Sequence, residues 1–208
     1  MQSIKCYTRI NKKIIDETDT GLLRKYILKL TEKMVSDNKK RFLETRGISC
    51  FSERNNNLLM WSHYADRCTG FCLEFNTDFE PFSKLRIVDY SDQIPQIDPV
   101  KMWVHKDYEQ IIDLYCLKSK QWDYEKEWRC IHAEAGTEFA YESSALNAMY
   151  FGPDINPAKL EILCLILQGQ NPDVKLFRGR RRSDQFSVEF SQFEYIPHIG
   201  NFSISSGN

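Results

Sequence analysis

"CFSERNNNLLMWSHYAD", residues 50–66, is where the fold is decided. A β-type run ends at Cys50-Phe51-Ser52, the triplet Asn55-Asn56-Asn57 interrupts it, and an almost wholly apolar segment then carries Trp61, Ser62, His63 and Tyr64 together. Gly47 opens the strand, GISCFS over 47–52, and an asparagine cap starts a helix over 55–66. At helical spacing Leu58, Trp61 and Ala65 share one face, and Met60 and Tyr64 share another. Both faces are apolar, so the helix is expected to be deeply buried. Such a helix either fills a core or walls a site, and the sequence leaves both open.

Working outward, Leu23, Tyr26, Ile27, Leu30 and Met34 recur at three and four in residues 20–41, an amphipathic helix with Thr20 at its cap. After the central stretch, 69–76 alternates as a strand, with Phe71, Leu73 and Phe75 on one side and Cys72 and Glu74 on the other. A short strand over 84–90 and a loop over 91–99, punctuated by Pro95 and Pro99, follow. A second amphipathic helix is expected over 102–120, with Tyr108, Ile111, Ile112 and Tyr115 in phase. Residues 127–133 read as a strand, 156–167 as a helix, and 174–179 and 186–196 as late strands. There are no repeats and no linker, which gives a single α+β domain over 1–208 without regular βαβ alternation.

Apolar residues make up 42% of the 208 and aromatics 13%, enough for a substantial core and against disorder of the whole chain. Lys and Arg total 28 against 29 for Asp and Glu, which argues against a protein dominated by non-specific nucleic-acid binding. No run of about eighteen apolar residues exists to span a membrane, and the first residues lack a secretory core, so a cytoplasmic protein without membrane partners is expected. The seven cysteines are scattered, mostly in apolar runs, and read as free thiols.

Several chemistries lack their signatures. Cys68 and Cys72 lie four apart with His63 upstream, but Cys72 falls mid-strand and no second pair follows, so no metal site is assigned. Ser62 and His63 are helix neighbours whose side chains diverge, and there is no nucleophile elbow, P-loop or dinucleotide fingerprint. "GRRRSD" at 179–184 reads as a solvated turn before it reads as a phosphate contact. The strongest local chemistry is "KSKQWDYEKEWRCIH", residues 118–132, where Glu125 and Glu127 stand two apart among Trp122, Tyr124 and Trp128. On a strand, residues two apart face one side, and like charges that close require solvent, a cation or a substrate hydroxyl between them. Two readings follow: ion pairs with Lys118, Lys120 or Arg129, or a carboxylate pair beside flat rings, suited to a sugar and a ring-bearing ligand.

Taken together, "ISCFSERNNNLLMWSHYADRCTGFCLEF" and "KSKQWDYEKEWR" resemble the bacterial family known as domain of unknown function 2971 (DUF2971). The pattern is C-F-S, then L-x-M-W-x-x-Y-A, then G-x-C-x-x-F, and later K-x-x-x-W-x-Y-E-x-E-W-R. These occur here in order across roughly 47–195. A looser likeness joins the same elements to the catalytic half of ADP-ribosyltransferases: a G-I-x-x-F-[AS] strand, a helix ending in aromatics, a Gly-led strand and a strand opened by Glu. That likeness implies an α+β fold with a split, twisted mixed β-sheet and helices packed around it.

By the same likeness Glu127 is the catalytic acid residue, Glu125 orients the acceptor, Ser52 sits near the nicotinamide amide with Phe51 behind it, and Trp61 or Tyr64 stacks on the nicotinamide ring. His63 either reaches the pocket or is a buried, hydrogen-bonded histidine. NAD is the implied co-substrate, and the implied partners are a macromolecular acceptor, nucleic acid or protein, and an antitoxin or other defence-system component. The family's early Y-K-[YF]-R-like strand and F-x-x-P-x-x-F/L-N-D-P stretch are missing from residues 1–46, where Tyr7 and Arg9 are the nearest stand-in. The resemblance therefore implies a chain short of its N-terminal quarter, or a shortened, inactive relative. Three functions are weighed: an ADP-ribosyltransferase-like toxin or anti-phage effector, a metal-dependent nuclease or hydrolase using Glu125, Glu127 and Glu74 around a divalent ion, and a non-catalytic interaction domain.

Overall fold

The computed structural model describes residues 20–98, 101, 105, 109–136, 138 and 140–197. In chain order the elements are α1 (Thr20–Thr45), β1 (Gly47–Ser52), α2 (Leu58–Tyr64), β2 (Phe71–Phe75), β3 (Arg86–Ile87), β4 (Asp89–Ser91) and α3 (Glu109–Tyr115). They continue with β5 (Leu117–Ser119), β6 (Glu127–His132), β7 (Leu146–Phe151), α4 (Pro157–Gln170), β8 (Lys175–Arg181) and β9 (Val188–Phe193). Helices and strands are mixed without regular alternation, the α+β class expected. The readings that fall on Tyr7, Arg9, Cys6 and Tyr108 lie outside the described residues.

The described residues up to 46, with those between 95 and 115, form one compact unit holding α1 and α3. Along α1 only Thr31 is buried among the described positions, and its hydroxyl donates to the Ile27 carbonyl at 2.8 Å. The expected stripe is half covered: Leu30 and Met34 are partly buried, whereas Leu23, Tyr26 and Ile27 are exposed. The helix expected to run to 120 ends at Tyr115. Leu117–Ser119 instead pairs in parallel with Asp89–Ser91, and backbone pairing overrides the helical periodicity of that stretch.

The second unit, 47–94 with the described residues from 116 on, is built on three sheets. In the first, β6 lies between β1 and β3, antiparallel to both. The second has the order β2-β7-β8-β9, with β7 and β8 parallel and the outer pairs antiparallel. The parallel β4-β5 pair is the third. The single strand expected over 84–90 is broken at buried Val88, whose N–H donates to the Glu127 carbonyl at 3.0 Å; Arg86–Ile87 stays on β6 while Asp89–Ser91 turns to β5.

β7 is the middle of the core. Ala148 and Tyr150 join Trp61, Ala65 and Val188 in one apolar cluster, and Met149 and Phe151 join Ile155, Cys164 and Val174 in another. α2 thus lies on one side of the four-stranded sheet and α4 on the other. At the end of β7, Gly152 donates its N–H to the Gly70 carbonyl at 2.9 Å, and a Cβ at that position would run into the Cys68 carbonyl. The facing turn carries three successive left-handed residues, Asp66, Arg67 and Cys68 (φ 46, 56 and 72°). The six described cysteines are all free thiols, and no helix among the described residues is long and apolar enough to cross a membrane.

Candidate active site

α2 is not buried all round. Trp61, at 3% exposure, and Ala65 face the sheet, while Leu59 and Tyr64 are exposed, Tyr64 at 63%. The helix has only two turns, and one of its sides opens onto a cleft of about 840 Å³, within the range of about 300–1,000 Å³ that small-ligand sites occupy. Cys50, Ser52, Tyr64, Glu74, Glu125 and Glu127 are among the residues that line it.

The asparagine triplet earns its place through hydrogen bonds. Asn57 is the N-cap: its Oδ1 accepts from Leu59 N at 2.9 Å and Met60 N at 3.4 Å. Its Nδ2 donates to the Tyr124 carbonyl at 3.2 Å, tying α2 to the turn that carries the acidic pair. The Asn55 carbonyl accepts from Trp61 Nε1 at 2.5 Å, which satisfies the indole inside the core. On the other side of the triplet, Ser52 Oγ donates to the Glu125 carbonyl at 2.6 Å and accepts from Arg54 N at 3.1 Å, while Glu53 N donates to the Lys126 carbonyl at 3.1 Å. The end of β1 is thereby stapled to Glu125-Lys126-Glu127.

Those two glutamates do face the same place, although not by strand alternation. Glu125 closes the 3₁₀ turn Lys120–Glu125, Lys126 adopts a left-handed conformation (φ 45°), and Glu127 opens β6. Both carboxylates are buried, at 2% and 5% exposure. Lys118 Nζ donates to Glu125 Oε2 and, at 3.0 Å, to Glu127 Oε2. Arg129 holds the far side of Glu127, Nε to Oε1 at 2.8 Å and Nη2 to Oε2 at 3.1 Å. Tyr64 donates its hydroxyl to Glu125 Oε1 at 2.8 Å, and the Tyr90 hydroxyl accepts from Glu127 N at 2.8 Å. Lys118 also stands 5.0 Å above the centre of the Trp122 ring.

The charge states follow from these contacts. Burial works against the charge on Glu127, but hydrogen bonds from Arg129, Cys50 and Lys118 overcome it and hold the carboxyl down at about 2. Burial lowers and the two carboxylates raise the affinity of Lys118 for its proton, and the carboxylates win. Cys50 is exposed, but loss of water around its sulfur, reinforced by Glu127, pushes the thiol up to about 11, so Cys50 is no ready thiolate nucleophile. Although its ring is exposed, loss of water around the hydroxyl and the bond to Glu125 push Tyr64 up to about 12, keeping it a neutral donor.

Of the residues singled out from sequence, Ser52, Tyr64, Glu125 and Glu127 come together here. Trp61 touches the cleft but belongs to the core, so of the two candidate rings Tyr64 is the one exposed at the cleft. His63 is neither in the pocket nor buried: it lies on the exposed side of α2, its ring 6.3 Å from that of Tyr64. Glu74 lines the cleft but accepts from the Tyr150 hydroxyl at 2.5 Å, and among the described residues no three His, Cys, Asp or Glu side chains converge as a metal would require. Ser62 donates back to the Leu58 carbonyl at 3.0 Å, as helix serines do. The arginines of 180–182 are each paired, with Glu189, Asp154 and Asp184. Of the two readings of the acidic pair, the ion pairs are present, made by Lys118 and Arg129, and Cys50 and Tyr90 are further contributors. Lys118 and Arg129 also stand at the ends of the K-x-x-x-W-x-Y-E-x-E-W-R pattern and Cys50 opens the C-F-S, whereas nothing in the sequence marks Tyr90.

No curated protein and no solved structure matches the chain. A family model described as a protein of unknown function (DUF2971) matches residues 60–130. That stretch supplies Tyr64, Lys118, Glu125, Glu127 and Arg129 to the cleft, and over it the chain is similar to the DUF2971 family.

Proposed function

We propose that this cleft cleaves NAD in the manner of an ADP-ribosyltransferase and passes the ADP-ribose unit to a macromolecular acceptor, nucleic acid or protein, as a bacterial toxin or anti-phage effector. The observation that carries the reading is Glu127, a carboxylate kept ionised at the wall of a ligand-sized cleft with the exposed ring of Tyr64 nearby. The adjacency of β1, with its G-I-S-C-F-S run, to the strand that Glu127 opens also supports it, as does the register that sets Ser52 opposite Glu127.

In the reaction the bond between nicotinamide nitrogen and ribose C1′ breaks, and its electron pair leaves with the nicotinamide. The acceptor nucleophile forms the new bond to C1′ and gives up a proton. Positive charge develops on the ribose in between, and a fixed carboxylate stabilises that charge more than it stabilises the ground state. Tyr64 offers a flat face against which the departing ring is held. Glu125 has one oxygen on Tyr64 and the other on Lys118, so its part is to hold the phenol and the ammonium in place.

Nicotinamide release from NAD tests this directly. The intact protein releases it, and Glu127→Gln lowers the rate by roughly 10²–10³-fold, the scale of losing one electrostatic stabiliser. A companion melting series separates the classes: NAD raises the melting temperature under this reading, magnesium or manganese under a metal-dependent hydrolase, and none of them under an interaction domain. No release together with no shift by NAD overturns the proposal.

A further inference from the structure

We propose that Lys118 is the positioning residue of this cleft: one ammonium, shared between Glu125 and Glu127, is what allows two carboxylates to stand side by side with little access to water. Its bearing on NAD cleavage rests on the reading above, but the charge argument does not.

The geometry leaves Lys118 little other purpose. Its chain position is set by β5, a strand of three residues whose pairing with β4 puts Tyr90 opposite Lys118. The ammonium then meets an Oε2 atom from each glutamate and lies over Trp122, which covers it without accepting its proton. Because both oxygens are within hydrogen-bond reach of one nitrogen, they lie within about 6 Å of each other. Among the described residues the other charged and titratable groups facing the pair are Arg129 from β6, Cys50 from β1, Tyr64 from α2 and Tyr90 from β4. Of these only Arg129 is a cation, and of the two carboxylates it is the Glu127 one that it bonds. Glu125 therefore has Lys118 as its one cationic partner among the described residues. With Lys118 neutralised, two buried carboxylates would share one guanidinium, and one of them would hold a proton into the neutral range.

The test uses Lys118→Met, which keeps the stem, Lys118→Arg, which restores a cation, and the double variant Lys118→Met/Glu125→Gln, which removes one charge of each sign. Glutamate carboxyl carbons are followed by NMR between pH 4 and 9, beside the melting temperature over the same range. The unmodified protein and Lys118→Arg are expected to give the same reference titration for the two carboxyls of this pair. Lys118→Met should shift one of them upward by about one to three pH units, with melting falling as pH rises through that window. The double variant should lose that titration and recover stability at neutral pH. Should Lys118→Met be unfolded at neutral pH, the proposal stands if acidification or the second substitution restores folding, and falls if neither does. A Lys118→Met protein that titrates and melts like the unmodified one overturns it. If the carboxyl titration moves as stated while no form of the protein releases nicotinamide, Lys118 keeps its role and the NAD reading is what fails.

Discussion

Trp61 and Tyr64 are one helical turn apart and do opposite things. Trp61 is a core residue with a satisfied indole, so Trp61→Ala should cost about 3–5 kcal/mol in urea unfolding, while Tyr64→Ala, at an exposed ring, should cost about 1 kcal/mol or less. Equal losses would show that Tyr64 holds the fold rather than facing the cleft. Glu127 carries a second expectation at this scale. Its carboxyl is held near 2 in the folded chain against an ordinary value of 4.5, so its contribution is complete above the ordinary value and disappears as pH falls toward 2. Tryptophan fluorescence should therefore report a chain that resists unfolding down to about pH 4.5 and loses stability below it. Glu127→Gln should flatten that acid limb.

At the scale of elements, the joint between the 3₁₀ turn and β6 is made by Lys126 in a left-handed conformation that glycine adopts without steric cost. Lys126→Gly should leave the acidic pair in place and change stability by about +0.5 to +1 kcal/mol, less whatever the exposed ion pair to Asp123 was contributing. A large destabilisation on urea unfolding would mean that the lysine side chain, not its backbone, holds the joint. This joint also shows how far the sequence can be read. β1, α2, β2 and β6 stand near where alternation and capping place them, and E-x-E lies at the wall of the candidate cleft. Which side of α2 faces the cleft was not legible, because an apolar face reads the same whether a sheet or a ligand covers it. Lys118 lies within the helical periodicity of 102–120 and yet stands on a strand, since Leu117–Ser119 takes its conformation from β4, more than twenty residues upstream.

The whole molecule extends that point. β7, the strand on which both apolar clusters meet, reads Leu-Asn-Ala-Met-Tyr-Phe and shows no alternation, because each of its sides is buried. Period-two patterning needs a wet face, and beyond the exposed Asn147 this strand has none, so neither it nor the parallel β7-α4-β8 crossover it begins is legible from alternation. The strands called from sequence were those with one side near water or an end in a turn.

The staple between Ser52 and the Glu125 carbonyl joins positions 73 residues apart. Closing so long a loop carries an entropic cost that local contacts avoid, so this end of the cleft belongs to the slow events of folding. During synthesis, a chain that has emerged only as far as β2 holds Ser52 and Tyr64 but neither carboxylate. Any chemistry seated here is therefore withheld from the nascent chain until the residues through Arg129 have left the ribosome and β6 has found β1.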